Sequence, residues 1–303
     1  MSDLGRARRA ELALLVVSLL WGLSFSAIKA ATPFVAPVLF VALRFTAASV
    51  LLLALRPLFA RAGAGDAAGE GTAGDGSARR RGIVLGLLLA IGYTTQTIGL
   101  HTTTAANSAF ISALSVVLVP LVVAARWRRF PDRPTLLGLA LATAGLVLLT
   151  RPGLGRLVPG DLWTLVCAVT YAMYLAWLSE ALAVAPWFAL LIWQVVTVAV
   201  TTLAWALLVE RGGLTPNRVV WLSLGATTLL STVLALYLQN RYQGRTTATR
   251  AGLLFASEPV FAAAFAALLL GEAIPAGWSA GAALIIAAVL VIELSRRREE
   301  AAP

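Results

Sequence analysis

The sequence predicts an all-α membrane protein, with ten transmembrane helices in two halves of five and the second half inverted relative to the first. Three observations carry that expectation. The 303 residues are 59% hydrophobic and only 13% charged, with a mean hydropathy of +0.86. A soluble chain so poor in charge would leave large apolar patches in water, whereas a bilayer demands long uncharged runs. Cutting at charged and Gly/Pro-rich breaks leaves ten apolar stretches, each close to the roughly 20 residues that cross a hydrocarbon core as helix. The third observation is the placement of Lys and Arg. These features exclude a soluble enzyme, a coiled coil, a disordered tail and a nucleic-acid-binding module.

The first run, 11–31, follows Arg6, Arg8 and Arg9. No small-residue cleavage site follows it, and Lys29 lies where a signal peptide would end, so a retained span is expected. The second run is 35–55. Residues 60–82, rich in Ala and Gly with Arg61, Asp66, Glu70, Asp75 and Arg79 to Arg81, have no periodicity and read as a flexible loop. The runs 83–101, 104–125 and 134–150 complete the first half, residues 1–150. Residues 151–303 hold 161–180, 186–209, 218–240, 246–270 and 276–295.

With the N-terminus in the cytoplasm, 18 arginines fall on the cytoplasmic side and four, Arg151, Arg156, Arg211 and Arg218, on the other; Lys29 and Arg44 lie inside spans. That bias is the positive-inside pattern. It puts both termini in the cytoplasm of a cell-membrane protein and accounts for the net charge of +10 without nucleic acid. One Cys and one His, Cys167 and His101, cannot build a zinc or iron–sulfur site, so no metal or cofactor is expected.

The two halves align on polar and small landmarks. At an offset of 150, Trp21 falls on Tyr171, Gly22 on Ala172 and Arg44 on Gln194. After the long loop an offset of 142 brings Thr104, Ala105 and Ala106 onto Thr246, Thr247 and Ala248. Five spans per half is an odd number, so the second half enters the membrane from the opposite face. Inverted repeats with a site near the midplane are one way secondary transporters open a site alternately to two sides.

Leu20-Trp21-Gly22 followed by Ser24-Phe25, Leu43-Arg44-Phe45, and Gln96-Thr97-Ile98-Gly99-Leu100 leading into Thr104-Ala105-Ala106-Asn107 resemble the EamA-type branch of the drug/metabolite transporter superfamily. So do Ser257-Glu258-Pro259-Val260-Phe261 and Leu270-Gly271-Glu272. The resemblance covers residues 11 to 295. It implies a five-plus-five inverted repeat that carries small metabolites by alternating access, often outward. Many relatives repeat the Gly-Glu ending in the first half, where this chain has Arg128, Arg129 and Phe130.

Polar side chains inside a bilayer are expensive, and each needs a reason. Gln96, Asn107 and Gln239 lie on runs that resemble the family's cavity-lining helices, and amides suit a zwitterionic or polar solute; hydrogen bonding between helices is the competing role. Trp21, Phe25, Tyr93, Tyr171 and Tyr174, with Ser24, form a second candidate substrate-binding set, too deep for an interfacial belt, with core packing as the alternative. Arg44 is expected to pair structurally with Glu272 or a helix-end carbonyl. Glu258, in mid-span before Pro259, is a candidate for proton coupling: burial disfavours its carboxylate, and a neutral acid could donate to the Phe255 carbonyl freed by the proline. Bracing of a proline kink is the alternative. Small residues spaced by four, Gly82 with Gly86, Gly138 with Ala142 and Gly277 with Gly281, allow close helix packing, within one chain or in a homodimer.

These readings lead to a secondary transporter of an amino acid or similar amphipathic solute, acting in the lipid bilayer as monomer or homodimer. The chain has no Gly-x-x-x-x-Gly-Lys-Ser/Thr loop for ATP. An intramembrane enzyme would need a nucleophile with a base or a carboxylate pair, and a channel or lipid-translocating protein would need a continuous polar face.

Overall fold

The computed structural model describes residues 3–61, 75–128, 130–150, 158–274 and 277–301. It contains ten helical rods: α1 (Asp3–Ala31), α2 (Pro37–Arg61), α3 (Asp75–Leu100), α4 (Ala105–Trp127), α5 (Arg133–Thr150), α6 (Pro159–Leu182), α7 (Trp187–Leu208), α8 (Arg218–Arg245), α9 (Ala248–Leu270) and α10 (Trp278–Ala301). No strand occurs among the described residues beyond an isolated bridge between Val35 and Leu214. Eight rods are long and apolar enough to cross a membrane, and α5 and α10 carry shorter apolar stretches. Their outward faces are large and apolar, among them Val50, Leu121, Leu207 and Leu268, as a lipid-facing surface requires. The protein has the all-α membrane fold that its composition predicts.

The expected loop at 60–82 is shorter in the structure. Residues 62–74 lie outside the described ones, but Asp75 to Gly82 form the first turns of α3. Charge bars Arg79 to Arg81 from the hydrocarbon but not from a helix that has left it, and Arg81 reaches Glu180 on α6 at 3.8 Å.

Two rods are discontinuous. α4 breaks at Leu114 into α4a (Ala105–Ala113) and α4b (Ser115–Trp127). α9 breaks at Ala256 and Ser257 into α9a (Ala248–Phe255) and α9b (Glu258–Leu270). Each first half-helix starts with a threonine cap: Thr104 accepts from the Asn107 backbone N–H and Thr247 from that of Arg250. Within α8, residues Thr227–Leu234 form a π-helix.

Packing pairs like with like. α2 lies on α7, α4 on α9 and α5 on α10, while α3 meets α6 as α1 meets α8. α4a packs against α9b, and α4b against α9a. Close contact is made through glycines: Gly22 on α1 leaves no room for a side chain beside Phe261 and Ala262 on α9b, and Gly86 on α3 lies on the backbone of Gln194 in α7. On α5 and α10 the close approach runs through Gly145, which abuts the Gly281 carbonyl.

Candidate functional site

The breaks of α4 and α9 face each other in the middle of the bundle, around a cavity of about 20 Å³, enough for about one water molecule. Ser112, Ala113 and Ser115 come from the α4 break, and Phe255 and Glu258 from that of α9. Trp21 on α1, Leu89 and Tyr93 on α3, and Tyr171, Tyr174 and Leu175 on α6 complete the wall. Both halves of the chain therefore contribute.

The aromatic wall is ordered by its own contacts. Trp21 packs on Phe255 at 5.1 Å between ring centroids, and Tyr93 meets Tyr171 edge-on at 5.6 Å. The Trp21 indole N–H donates to the Ser231 carbonyl at 3.2 Å, and the Ser231 hydroxyl donates to the Leu20 carbonyl. Both bonds tie α1 to the π-helical stretch of α8. The Tyr174 hydroxyl donates to Oε1 of Gln194 at 2.8 Å.

Glu258 opens α9b, with Ser257 as the preceding residue and Pro259 in the first turn. Pro259 therefore falls where a helix has no N–H to satisfy, and a carboxyl in the first turn complements the helix dipole. The sequence suggested a mid-helix kink with Glu258 bonded to the Phe255 carbonyl. Instead the helix is interrupted, and Glu258 makes no hydrogen bond or ion pair to any described residue. The residue is 9% exposed, and it lines the cavity.

Of the residues nominated from sequence, Trp21, Tyr93, Tyr171, Tyr174 and Glu258 line this cavity. Gln96 is one layer behind, its amide donating to Ser112 Oγ at 3.2 Å. The Ser24 hydroxyl is taken up by the Trp21 carbonyl at 2.7 Å, and Phe25 is buried with Ile28, Phe40 and Leu100, away from the cavity. Gln239 belongs to a buried amide chain: Gln194 donates to Asn240, Gln239 to Gln243, and Gln243 to Ser179 and the Leu175 carbonyl. Asn107 donates to Asp161 at 2.7 Å and to Thr103, near the ends of α3, α4 and α6.

The expected pair of Arg44 with Glu272 does not form. Arg44 is buried, its Nε donating to Thr232 Oγ1 and its guanidinium lying over the rings of Tyr93 at 4.9 Å and Phe45 at 5.4 Å. π faces substitute for a counter-ion. Glu272 instead accepts from the backbone N–H groups of Ala105 at 3.0 Å and Ala106 at 3.3 Å, because the free N–H groups at the start of α4a are the nearest positive end of a dipole.

The two ends of the bundle differ. At the end holding the α1–α2 and α7–α8 connections, Glu210 accepts from the N–H groups of Val38 and Leu39 at the start of α2. Lys29 donates to the carbonyls of Leu100 and Thr103, both at 2.7 Å, and Asp161 binds Thr103 and Asn107. At the arginine-rich end lie two open clefts. One, of about 580 Å³, is flanked by Arg80, Arg81, Arg126 and Glu180; the other, of about 770 Å³, by Asp132, Glu180 and Arg250. Glu180 borders both. Two ion pairs cross these clefts, Arg81 with Glu180 and Arg250 with Asp132 at 3.3 Å.

The model of the EamA-like transporter family matches residues 8–151 and 158–294. The chain belongs to that family. It is therefore a multi-pass membrane transporter. A protein of Archaeoglobus fulgidus named "uncharacterized transporter" is 28% identical to this EamA-like chain over 285 residues, covering 94% of it and 86% of the relative. A crystal structure 21% identical in sequence shares the fold with a TM-score of 0.74, over 96% of this chain and 99% of that one.

Sequence reasoning missed several cavity residues of this EamA-like transporter: Ser112, Ser115, Leu89, Ala113, Leu175 and Phe255. The usable signal was the repeat itself. At the offset of 142, Ser115 falls on Ser257 and Leu114 on Ala256, so the break announced by Pro259 in the second half has its counterpart in the first. Val117 stands where a second proline would have marked it.

Proposed function

We propose that the protein carries an amino acid or a similar small amphipathic solute across the cytoplasmic membrane, outward, by alternating access around the central cavity. The observation that carries this reading is the composition of the cavity wall. It joins five helices from both halves at the level of two helix breaks, and discontinuous helices at a repeat interface are where secondary transporters hold their cargo. Trp21 and Tyr171, equivalent positions in the two halves, both line it, which supports the repeat, as does the division of the family match at 151 and 158. Aromatic rings suit the apolar body of the solute, and hydroxyls and Glu258 its polar head.

The hydrogen-bonded end and the open clefts at the arginine-rich end fit a state closed to the outside. The positive-inside bias assigns that arginine-rich end, with both termini, to the cytoplasm. This reading takes a single chain as the working unit, since Gly145 on α5 is used within it, against the Gly281 carbonyl of α10.

The test is uptake and efflux of a metabolite panel in proteoliposomes, with and without a pH gradient, for wild type, Trp21→Ala and Gln96→Ala. Both variants are expected to lower the rate at least about tenfold, a loss of about 1.4 kcal/mol in binding, at unchanged membrane abundance. Abundance falling in step with rate would make them packing residues and remove the site.

A further inference from the structure

Among the described residues, the cavity wall holds one carboxyl and no basic side chain. Glu258 faces it without a partner among the described residues, and it shares the cavity wall with five aromatic side chains, Trp21, Phe255, Tyr93, Tyr171 and Tyr174. The other elements around it contribute no charge. α4 brings Ser112 and Ser115, and α6, beside its tyrosines, has the buried thiol of Cys167 one layer back, in contact with Ser112. Arg44 lies behind the cavity wall, its guanidinium on the ring of Tyr93, and does not line the cavity. An anionic solute would meet a carboxylate with no donor beyond hydroxyls. A carboxyl set among π faces is the environment that recognises a protonated amine, charge to charge on one side and cation to ring on the others.

We propose that Glu258 is the counter-ion for a substrate ammonium, and that substrate and proton exclude one another at this carboxyl. This rests on the cavity being the transport site. In the substrate-free state the carboxyl holds a proton; an incoming R–NH3+ displaces it, so that one proton leaves as one ammonium binds and the buried charge is neutral throughout. Run across two faces of the membrane, the same exchange moves one protonated amine out for one proton in. The cavity volume of about 20 Å³ means that the amine enters only as the helix breaks separate.

The probes are tyramine, phenylalanine and 3-phenylpropionate, which present the same kind of ring with an ammonium alone, with both charges, and with a carboxylate alone. Purified protein in weakly buffered detergent at neutral pH is titrated with each. Wild type is expected to release about one proton per tyramine bound, and likewise for phenylalanine, and not to bind 3-phenylpropionate. Glu258→Gln is expected to bind tyramine at least about thirtyfold more weakly and to release no proton; Glu258→Asp, which keeps the acid, is expected to restore proton release at reduced affinity. Tyramine binding without proton release, equal binding by Glu258→Gln, or a preference for 3-phenylpropionate overturns the proposal. Counterflow in proteoliposomes separates the two levels of inference. Counterflow of 3-phenylpropionate but not of the amines overturns the ammonium site and leaves the transport site standing. Binding with proton release but no counterflow of any probe upholds the ammonium site and overturns carriage through this cavity, and neither binding nor counterflow overturns both.

Discussion

Gly22 shows how tightly single residues are held near the site. A Cβ added there would lie 2.7 Å from Cβ of Phe261 and 2.9 Å from the backbone N of Ala262, and a helix backbone cannot give way as a flexible side chain can. Gly22→Ala is therefore expected to cost about 1–3 kcal/mol and to lower both the thermal unfolding temperature in detergent and the membrane abundance. Its neighbour Trp21 makes the opposite prediction, activity lost with abundance kept, although the two are adjacent in sequence. An unfolding temperature unchanged by Gly22→Ala would mean that α1 and α9b are not packed as described. At this scale the sequence was partly legible. The depth of Trp21, Tyr93, Tyr171, Tyr174 and Glu258 in uncharged runs marked them, since a bilayer makes every deep polar or aromatic group conspicuous. The partner of Arg44 was not legible, because sequence separation carries no information on whether a guanidinium finds a carboxylate or the faces of Tyr93 and Phe45.

Among the helices, the acids at one end act on backbone dipoles. Glu272 satisfies two N–H groups at the start of α4a and Glu210 two at the start of α2, each reaching from the second half of the chain to the first. Glu272→Ala leaves Ala105 and Ala106 without that acceptor, a loss of about 1–2 kcal/mol by analogy with other helix caps. The expected result is that a cysteine at Ser112, in a Cys167→Ala background, reacts faster with an impermeant reagent applied from the Glu272 side. An unchanged rate would show that this end is held shut by packing alone. The ten rods were legible because hydrocarbon forces each crossing to be uncharged and about 20 residues long. The interruption of α4 was legible only through the repeat, since Leu114 itself has neither proline nor glycine beside it. Across that break α4a packs on α9b and α4b on α9a.

For the whole molecule, the proposed orientation is open to direct measurement. Gly76 and Gly213 are exposed, have open space around them and lie at opposite ends of the bundle. In the Cys167→Ala background, Gly76→Cys is expected to label from the cytoplasmic side and Gly213→Cys from outside; labelling of both from one side removes the inverted arrangement. The arginine count is what proposes this orientation, because Lys and Arg resist crossing a membrane in short loops.

The division of α4 and α9 also limits the length of cargo. α4a and α9b form one layer between the cavity and one face of the bundle, while α4b and α9a form the other. With 9 and 13 residues in the two parts of α4, these layers are about 13–20 Å thick at about 1.5 Å per residue. Together the two layers take up the roughly 30 Å of the hydrocarbon core, so on the proposed alternating access only a short space at their junction stays enclosed, as in an airlock, when both doors are shut. Extended peptides and full-length acyl chains would prop a door open, whereas a solute the size of a single amino acid needs only a local widening of that space, so on this reading the placing of two interruptions sorts cargo by length before any side chain sorts it by chemistry.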